Sequence, residues 1–344
     1  MLYKVLSKEK LGELVTNLLS NYEFYGPKKI DKVTHDFVLI ENFSDIDLSY
    51  KKTTIPPSKK LLFPSYENLI NYKLNKDNVE VLPNLESKKR ILFGVAPWDI
   101  NGMNFLDKIF SIDYLDNNYL MKRKNLIVIG FDVEPSDNNF AAAVNAEYTN
   151  KGFDLYITDL KDRCFIRVGS ATGNFIINNF TTAVDAKLKD FEDYNRFLDV
   201  YRKKFKVKIN LDKFYDSFEA VYSNNELWDK LAKNCFSCGS CNLVCPTCFC
   251  FNVKDELMLN LKEGIKKREW DSCMISDYGL VAGGHNFRPT NSNRLKQRYR
   301  CKLKTFAEKF ESISCVGCGR CVDACLAKIN IYEDVNTIKK EVGV

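Results

Sequence analysis

Twelve of the thirteen cysteines in this 344-residue chain lie between Cys235 and Cys325, and eight of them fall into two runs with the same step. The first is Cys235-Phe-Ser-Cys238-Gly-Ser-Cys241-Asn-Leu-Val-Cys245-Pro246, which reads C-x2-C-x2-C-x3-C-P. Cys315-Val-Gly-Cys318-Gly-Arg-Cys321-Val-Asp-Ala-Cys325 repeats it, with Leu326 in the proline position. Three cysteines at steps of three let one tight loop wrap three corners of a cuboidal [4Fe-4S] cluster, while the fourth turns away to the neighbouring cluster. The spacing therefore predicts two clusters with crossed ligands. Cys235, Cys238, Cys241 and Cys325 would hold the first, and Cys315, Cys318, Cys321 and Cys245 the second. Gly239, Gly317 and Gly319 would let backbone amides approach the sulfides. A zinc ribbon uses two separated C-x2-C pairs, and three cysteines within seven residues overfill such a corner.

Cys248, Cys250, Cys273 and Cys301 follow no complete four-cysteine rule. They are expected to pack beside the clusters as small apolar side chains. The alternative is a third centre in which Cys248, Cys250 and Cys273 are completed by His285 or Cys301. His285 sits in the glycine-rich turn Gly283-Gly284-His285-Asn286, where a structural hydrogen bond is the plainer role for it. Cys164 stands alone on an apparent strand and is expected to be structural. A cubane with four thiolates is anionic, so it needs cations and amide dipoles around it. The run Arg294, Lys296, Arg298, Arg300, Lys302, Lys304 between the two motifs could supply them, or could be a solvated or docking helix face.

The elements that must position these residues belong to a chain of ordinary globular composition, 45% hydrophobic and 28% charged, long enough for two domains. The formal charge is +6, too small for a nucleic-acid stripe, and 19 Lys and Arg against 14 Asp and Glu from Val221 onward place most of the excess in the cysteine-rich part. No stretch reads as a membrane span. The N-terminus breaks its apolar residues with lysine and glutamate, so no signal peptide is expected and a cytoplasmic location is. In a reducing compartment the cysteines are better used on metal than in disulfides.

Leu11, Leu14, Val15, Leu18 and Leu19 mark a first helix, and residues 33–40 a strand. Residues 55–64 read as an extended, proline-punctuated connection. Ile91–Val95 and Leu126–Ile129 are short, fully apolar strands with helical material between them, which makes a β-α-β crossover. Residues 153–160 and 164–170 form a strand pair turned at Lys161-Asp162-Arg163, and helices fill 182–227. No G-x-G-x-x-G, P-loop or G-x-S-x-G occurs. No flavin or NAD site is expected, and no place where a substrate is converted is legible.

The segments CFSCGSCNLVCPTCFCFNVKDE, REWDSCM, LVAGGHNFRPT and SCVGCGRCVDAC resemble the β subunit of cytoplasmic sulfhydrogenases, NiFe hydrogenases that use nicotinamide cofactors. They are more distantly similar to the corresponding subunit of anaerobic sulfite reductase. The likeness continues through PPSKKLLFPSYENLINY, ILFGVAPWDINGM, LIVIGFDVEP and GFDLYITDL, so nearly the whole chain is covered. It implies an electron conduit between a flavin-containing, NAD(P)H-handling subunit and subunits bearing a catalytic metal, with the same eight cysteines as cluster ligands. Relatives typically have R-P-C-D where this chain has Ala96-Pro97-Trp98-Asp99. They carry further cysteines where it has Asp132 and Asn139-Phe140-Ala141. No iron-sulfur centre is therefore expected in the first 230 residues.

The fold expected is α+β, with a metal-free mixed α/β docking scaffold over 1–222 and a mainly helical, ferredoxin-like dicluster domain over 223–344. The function expected is a non-catalytic iron-sulfur electron-transfer subunit of a hetero-oligomeric oxidoreductase, with no nucleic-acid partner and no membrane insertion. Its rivals are a stand-alone iron-sulfur reductase, a subunit of the anaerobic sulfite reductase type and a zinc-dependent interaction module.

Overall fold

The computed structural model describes residues 2–211 and 214–343. Its strands are β1 (Leu2–Ser7), β2 (Glu23–Lys29), β3 (His35–Leu39), β4 (Tyr66–Leu74), β5 (Val79–Pro83), β6 (Arg90–Val95), β7 (Leu126–Phe131), β8 (Leu155–Asp159), β9 (Arg163–Val168), β10 (Val184–Asp185), β11 (Phe251–Leu257) and β12 (Glu263–Trp270). The helices up to the first cysteine run are α1 (Lys8–Leu19), α2 (Pro57–Leu62), α3 (Pro97–Ser111), α4 (Asn117–Lys124), α5 (Ala171–Phe180), α6 (Leu188–Lys203), α7 (Phe214–Ala220) and α8 (Asn225–Ala232). They continue with α9 (Ser240–Leu243), α10 (Asn291–Leu303), α11 (Thr305–Phe310), α12 (Arg320–Asp323) and α13 (Ile331–Val342). The fold is α+β.

Eight strands form the main sheet in the order β10-β1-β9-β8-β7-β6-β2-β3. The inner strands β2, β6, β7 and β8 are parallel, and antiparallel pairs flank them. Strands β6 and β7 are buried almost end to end, which is why they read as uninterrupted apolar runs rather than alternating ones. The crossover between them is α3 and α4, as the pattern implied. The 153–170 pair is the antiparallel β8–β9 hairpin, with Leu155 opposite Val168. Helix α1 buries Leu11, Leu14, Val15 and Leu18 and is capped by Ser7, whose hydroxyl accepts from the Lys10 amide at 3.2 Å.

Two features differ from the sequence reading. Residues 57–62 are helical rather than extended, because Pro57 occupies the first helical turn, where its ring and missing N–H carry no penalty. The cysteine-rich part also contributes the β11–β12 hairpin, which joins the β4–β5 hairpin in a second, antiparallel sheet ordered β11-β12-β4-β5. Buried Arg268 on β12 holds this sheet to α4. Its guanidinium donates to Glu67 at 2.6 Å and also meets Asp116, while Lys122 meets Glu67 as well.

Asp132, just beyond β7, borders a crevice at the carboxyl ends of β7 and β8. Its carboxylate accepts hydrogen bonds from the Tyr156 hydroxyl at 2.8 Å and from Thr158 Oγ1 at 2.5 Å. Burial pushes it up to about 6, against those two bonds. A carboxyl raised above its unfolded value of ~3.9 adds stability that is complete below that pH and is lost as the pH climbs through the folded value. Asp132→Asn is therefore expected to stabilise the protein by about 2 kcal/mol at pH 7.5, with crevice solvent trimming the full linkage, and by almost nothing at pH 4. Denaturant unfolding at the two pH values checks this, and an equal gain at both would contradict it.

Candidate metal centres

Each cysteine run folds the same way. In both, a left-handed glycine, Gly239 (φ 80°) or Gly319 (φ 76°), opens a single helical turn, α9 or α12, and the fourth cysteine follows that turn. The position two residues earlier is also left-handed, at Ser237 (φ 53°) and Gly317 (φ 65°). The internal repeat is thus structural as well as sequential.

The reason for serine in one run and glycine in the other lies in what covers each loop. A Cβ on Gly317 would come within 2.7 Å of the Ala141 backbone, and one on Gly319 within 2.4 Å of the Asn138 carbonyl oxygen. Residues 138–141 lie over the second run, and Phe140 N donates to the Gly317 carbonyl at 2.7 Å. Ser237 instead meets polar neighbours, with Asn291 Oδ1 at 3.0 Å from its hydroxyl. Gly317→Ser, which copies the first run into the second, is therefore expected to cost about 2–3 kcal/mol through strain and overpacking. Ser237→Gly should cost under about 1 kcal/mol. Anaerobic unfolding midpoints check the pair, and equal costs would contradict this account.

The proline difference has the same origin. Pro246 packs on α3, where a Cβ at Gly102 would approach it to 2.9 Å, whereas Leu326 is 79% exposed.

Two enclosed cavities result. Cys235, Cys238, Cys241 and Cys325 line the first, and Cys245, Cys315, Cys318 and Cys321 line the second, with Cys321 reaching the wall of the first as well. The fourth cysteine of each run thus faces the other run's loop. Cys238 and the rim residues Phe236 and Leu326 are exposed, while Cys318 is buried beside the N-terminal part. Among the described residues no three His, Cys, Asp or Glu side chains crowd to the spacing of a single-ion site. The cysteines instead line the walls of the two cavities.

The electrostatics favour an anionic occupant. Burial pushes Cys241 and Cys315 up to about 12, so their thiolates need compensating charge. Cys245 is lowered despite burial, with the Lys302 ammonium the largest of the effects that favour its thiolate. The basic run on α10 divides by helical period. Arg294, Arg298 and Lys302, four residues apart, are buried, whereas Lys296 and Arg300 turn outward over the Tyr222 ring. The helix thus has a buried basic face and an outward one.

Amide donors supplement the cations. Ser237 N donates to Cys235 Sγ at 3.4 Å and Ile329 N to Cys325 Sγ at 3.3 Å. A soft four-thiolate set with amides and cations around it fits an iron-sulfur cluster.

Cys248, Cys250 and Cys273 come together beside the second cavity, close enough for Cys250 to influence both of the others. Asn242 Nδ2 donates to Cys273 Sγ at 3.1 Å, and Cys301 lies near Cys273. The contact with Cys250 and burial raise Cys248, while the contact with Cys250 lowers Cys273. Lys59 Nζ sits 3.9 Å above the Trp270 ring and donates to the Leu243 carbonyl at 3.2 Å. His285 is exposed, its ring edge-on to Phe287. Cys164 is fully buried on β9, and burial pushes it up to about 11.

Trp98, Asn139 and Ala141 are buried, and Trp98 packs edge-on against Phe205. The ion pair beneath the second run went unread in the sequence. Arg320, inside the motif, reaches Asp99 on α3 at 2.6 and 2.8 Å and donates to the Thr53 carbonyl at 2.7 Å. Phe140, which lines the second cavity, was also not foreseen as a site residue.

These features define a dicluster iron-sulfur protein, and residues 234–329 match the family described as 4Fe-4S dicluster domain. Along its whole length the chain is similar to sulfhydrogenase 2 subunit beta of Pyrococcus furiosus, 31% identical over 341 residues that cover 99% of each chain. The chain belongs to the sulfhydrogenase β-subunit family. No solved structure matches it. No helix among the described residues is long and apolar enough to cross a membrane.

Proposed function

We propose that this chain is the electron-relay subunit of a cytoplasmic, multi-subunit oxidoreductase of hydrogenase or sulfur-compound-reductase type. It works between a partner that handles NAD(P)H through a flavin and a partner that carries the catalytic metal. The observation that supports this best is the pair of cavities, each lined by three cysteines of one run and the fourth of the other. Cys235, Cys238, Cys241 and Cys325 would hold one [4Fe-4S] cluster, and Cys315, Cys318, Cys321 and Cys245 the other. A bound cubane supplies one-electron storage at a potential set by its surroundings.

The chain's own residues do the rest. Backbone amides and buried cations favour the reduced state, and the apolar walls at Met274, Leu295 and Ile331 keep water from the sulfurs. Residues 1–222 serve as the docking scaffold and 223–344 as the two-cluster domain. The exposed edge at Phe236, Cys238 and Leu326 is where a partner's redox centre comes near enough to exchange electrons. Cys248, Cys250, Cys273 and Cys301 pack without metal.

Anaerobic purification through a tag on this chain tests the reading. A flavin-bearing chain and a nickel- or other metal-bearing chain are expected to co-purify, and Cys273→Ser should keep all its iron. Recovery of the chain alone, with substrate turnover of its own, would overturn the relay role.

A further inference from the structure

Arg298 is the one basic side chain among the described residues that lines both cysteine cavities. It is 4% exposed. Its Nε donates to Asn242 Oδ1 at 3.1 Å and its Nη2 reaches the Cys241 carbonyl at 3.4 Å, bonds that satisfy N–H groups but leave the charge in place. No carboxylate of the described residues lies within ion-pair distance of it. Asp334, an acid that feels its charge, sits behind Tyr299, accepts that residue's hydroxyl and is pushed up to about 6 by burial. Burial works against the charge, and the sulfurs of Cys241, Cys321 and Cys245 offset it.

Two other buried cations beside the cavities are placed differently. Lys302 lines only the second cavity and donates to the Thr247 carbonyl at 3.0 Å and hydroxyl at 3.1 Å. Arg320 is neutralised by Asp99. A guanidinium without an acid in the protein interior is costly unless an anion faces it, and the cavities on its two sides are where such anions would sit.

We infer that Arg298 is the shared counter-charge of the two clusters, so that one side chain sets both reduction potentials together, while Lys302 acts on the Cys245-bound cluster alone. This rests on the two-cluster reading. It adds that the potentials cannot be tuned independently at this position, because any change of charge there is felt by both centres at close range and low dielectric.

The test is an EPR-monitored redox titration of the intact complex, with iron content measured on every sample. Arg298→Gln is expected to make reduction of both clusters at least about tenfold less favourable, each tenfold being about 59 mV for one electron. Asn242→Asp, which sets a carboxylate against the guanidinium at nearly constant volume, should lower both as well and carries the test if Arg298→Gln fails to hold iron. Lys302→Met should lower one signal only. With iron retained, unchanged potentials in Arg298→Gln and Asn242→Asp, or a shift confined to one signal, would overturn the inference. A wrong iron count in the unmodified protein would instead overturn the two-cluster reading beneath it.

Discussion

Cys245→Ser is expected to remove the cluster wrapped by the distant run, not the one wrapped by its own. Iron should fall from roughly eight to roughly four per chain, and the signal that survives should be the one that Cys325→Ser abolishes. The reason is the single helical turn that follows each left-handed glycine. Over α9 and α12 the chain advances past its own cavity and delivers the fourth sulfur to the neighbouring one. Serine keeps the backbone and volume while replacing a soft thiolate with a hard oxygen, so the effect reports ligation rather than packing. If Cys245→Ser and Cys238→Ser silence the same signal, the ligand sets are not crossed.

Asp99→Ala should be the most damaging substitution outside the cysteines. Asp99 is fully buried and Arg320 is 2% exposed, with both terminal guanidinium nitrogens of Arg320 on the carboxylate. Truncating the acid strands a charge in the interior, which costs about 3–5 kcal/mol. Replacing both partners with apolar residues, as in Asp99→Leu with Arg320→Met, should recover much of that loss, because the desolvation penalty goes with the pair. Anaerobic guanidinium unfolding of the two single variants and the double variant measures the coupling. A cost below about 1 kcal/mol for Asp99→Ala would mean that the pair does not brace the second run against α3.

The sequence was most legible where one rule governs a short stretch. The cysteine spacing made the two matching loops legible, because their step of three residues is set locally by the left-handed positions at Ser237, Gly239, Gly317 and Gly319. The apolar runs at 91–95 and 126–129 revealed the parallel centre of the sheet, because strands covered on both faces show no alternation. The reading failed where distant segments decide. The 66–83 and 251–270 hairpins pair across a long stretch of intervening chain, and neither carries an Asn-Gly or Asp-Gly turn to announce it. Pro57 reads as a breaker in isolation and as a helix start once its neighbours fold.

Arg320 and Asp99 are ordinary in sequence, since nothing in either stretch announces the other. The basic run held more than was taken from it. Arg294, Arg298 and Lys302 recur every fourth residue, so the inward face of α10 could have been assigned from periodicity alone. Cys273 and Cys301 were unreadable by spacing because they meet Cys248 and Cys250 only through the fold.

The most direct test of the central claim is the content of iron and acid-labile sulfide in the anaerobically purified protein, taken together with its EPR spectrum after dithionite reduction. Roughly eight irons and eight sulfides per chain, with two reducible [4Fe-4S] signals, are expected. One or two zinc ions per chain, or a colourless protein with no signal on reduction, would contradict it.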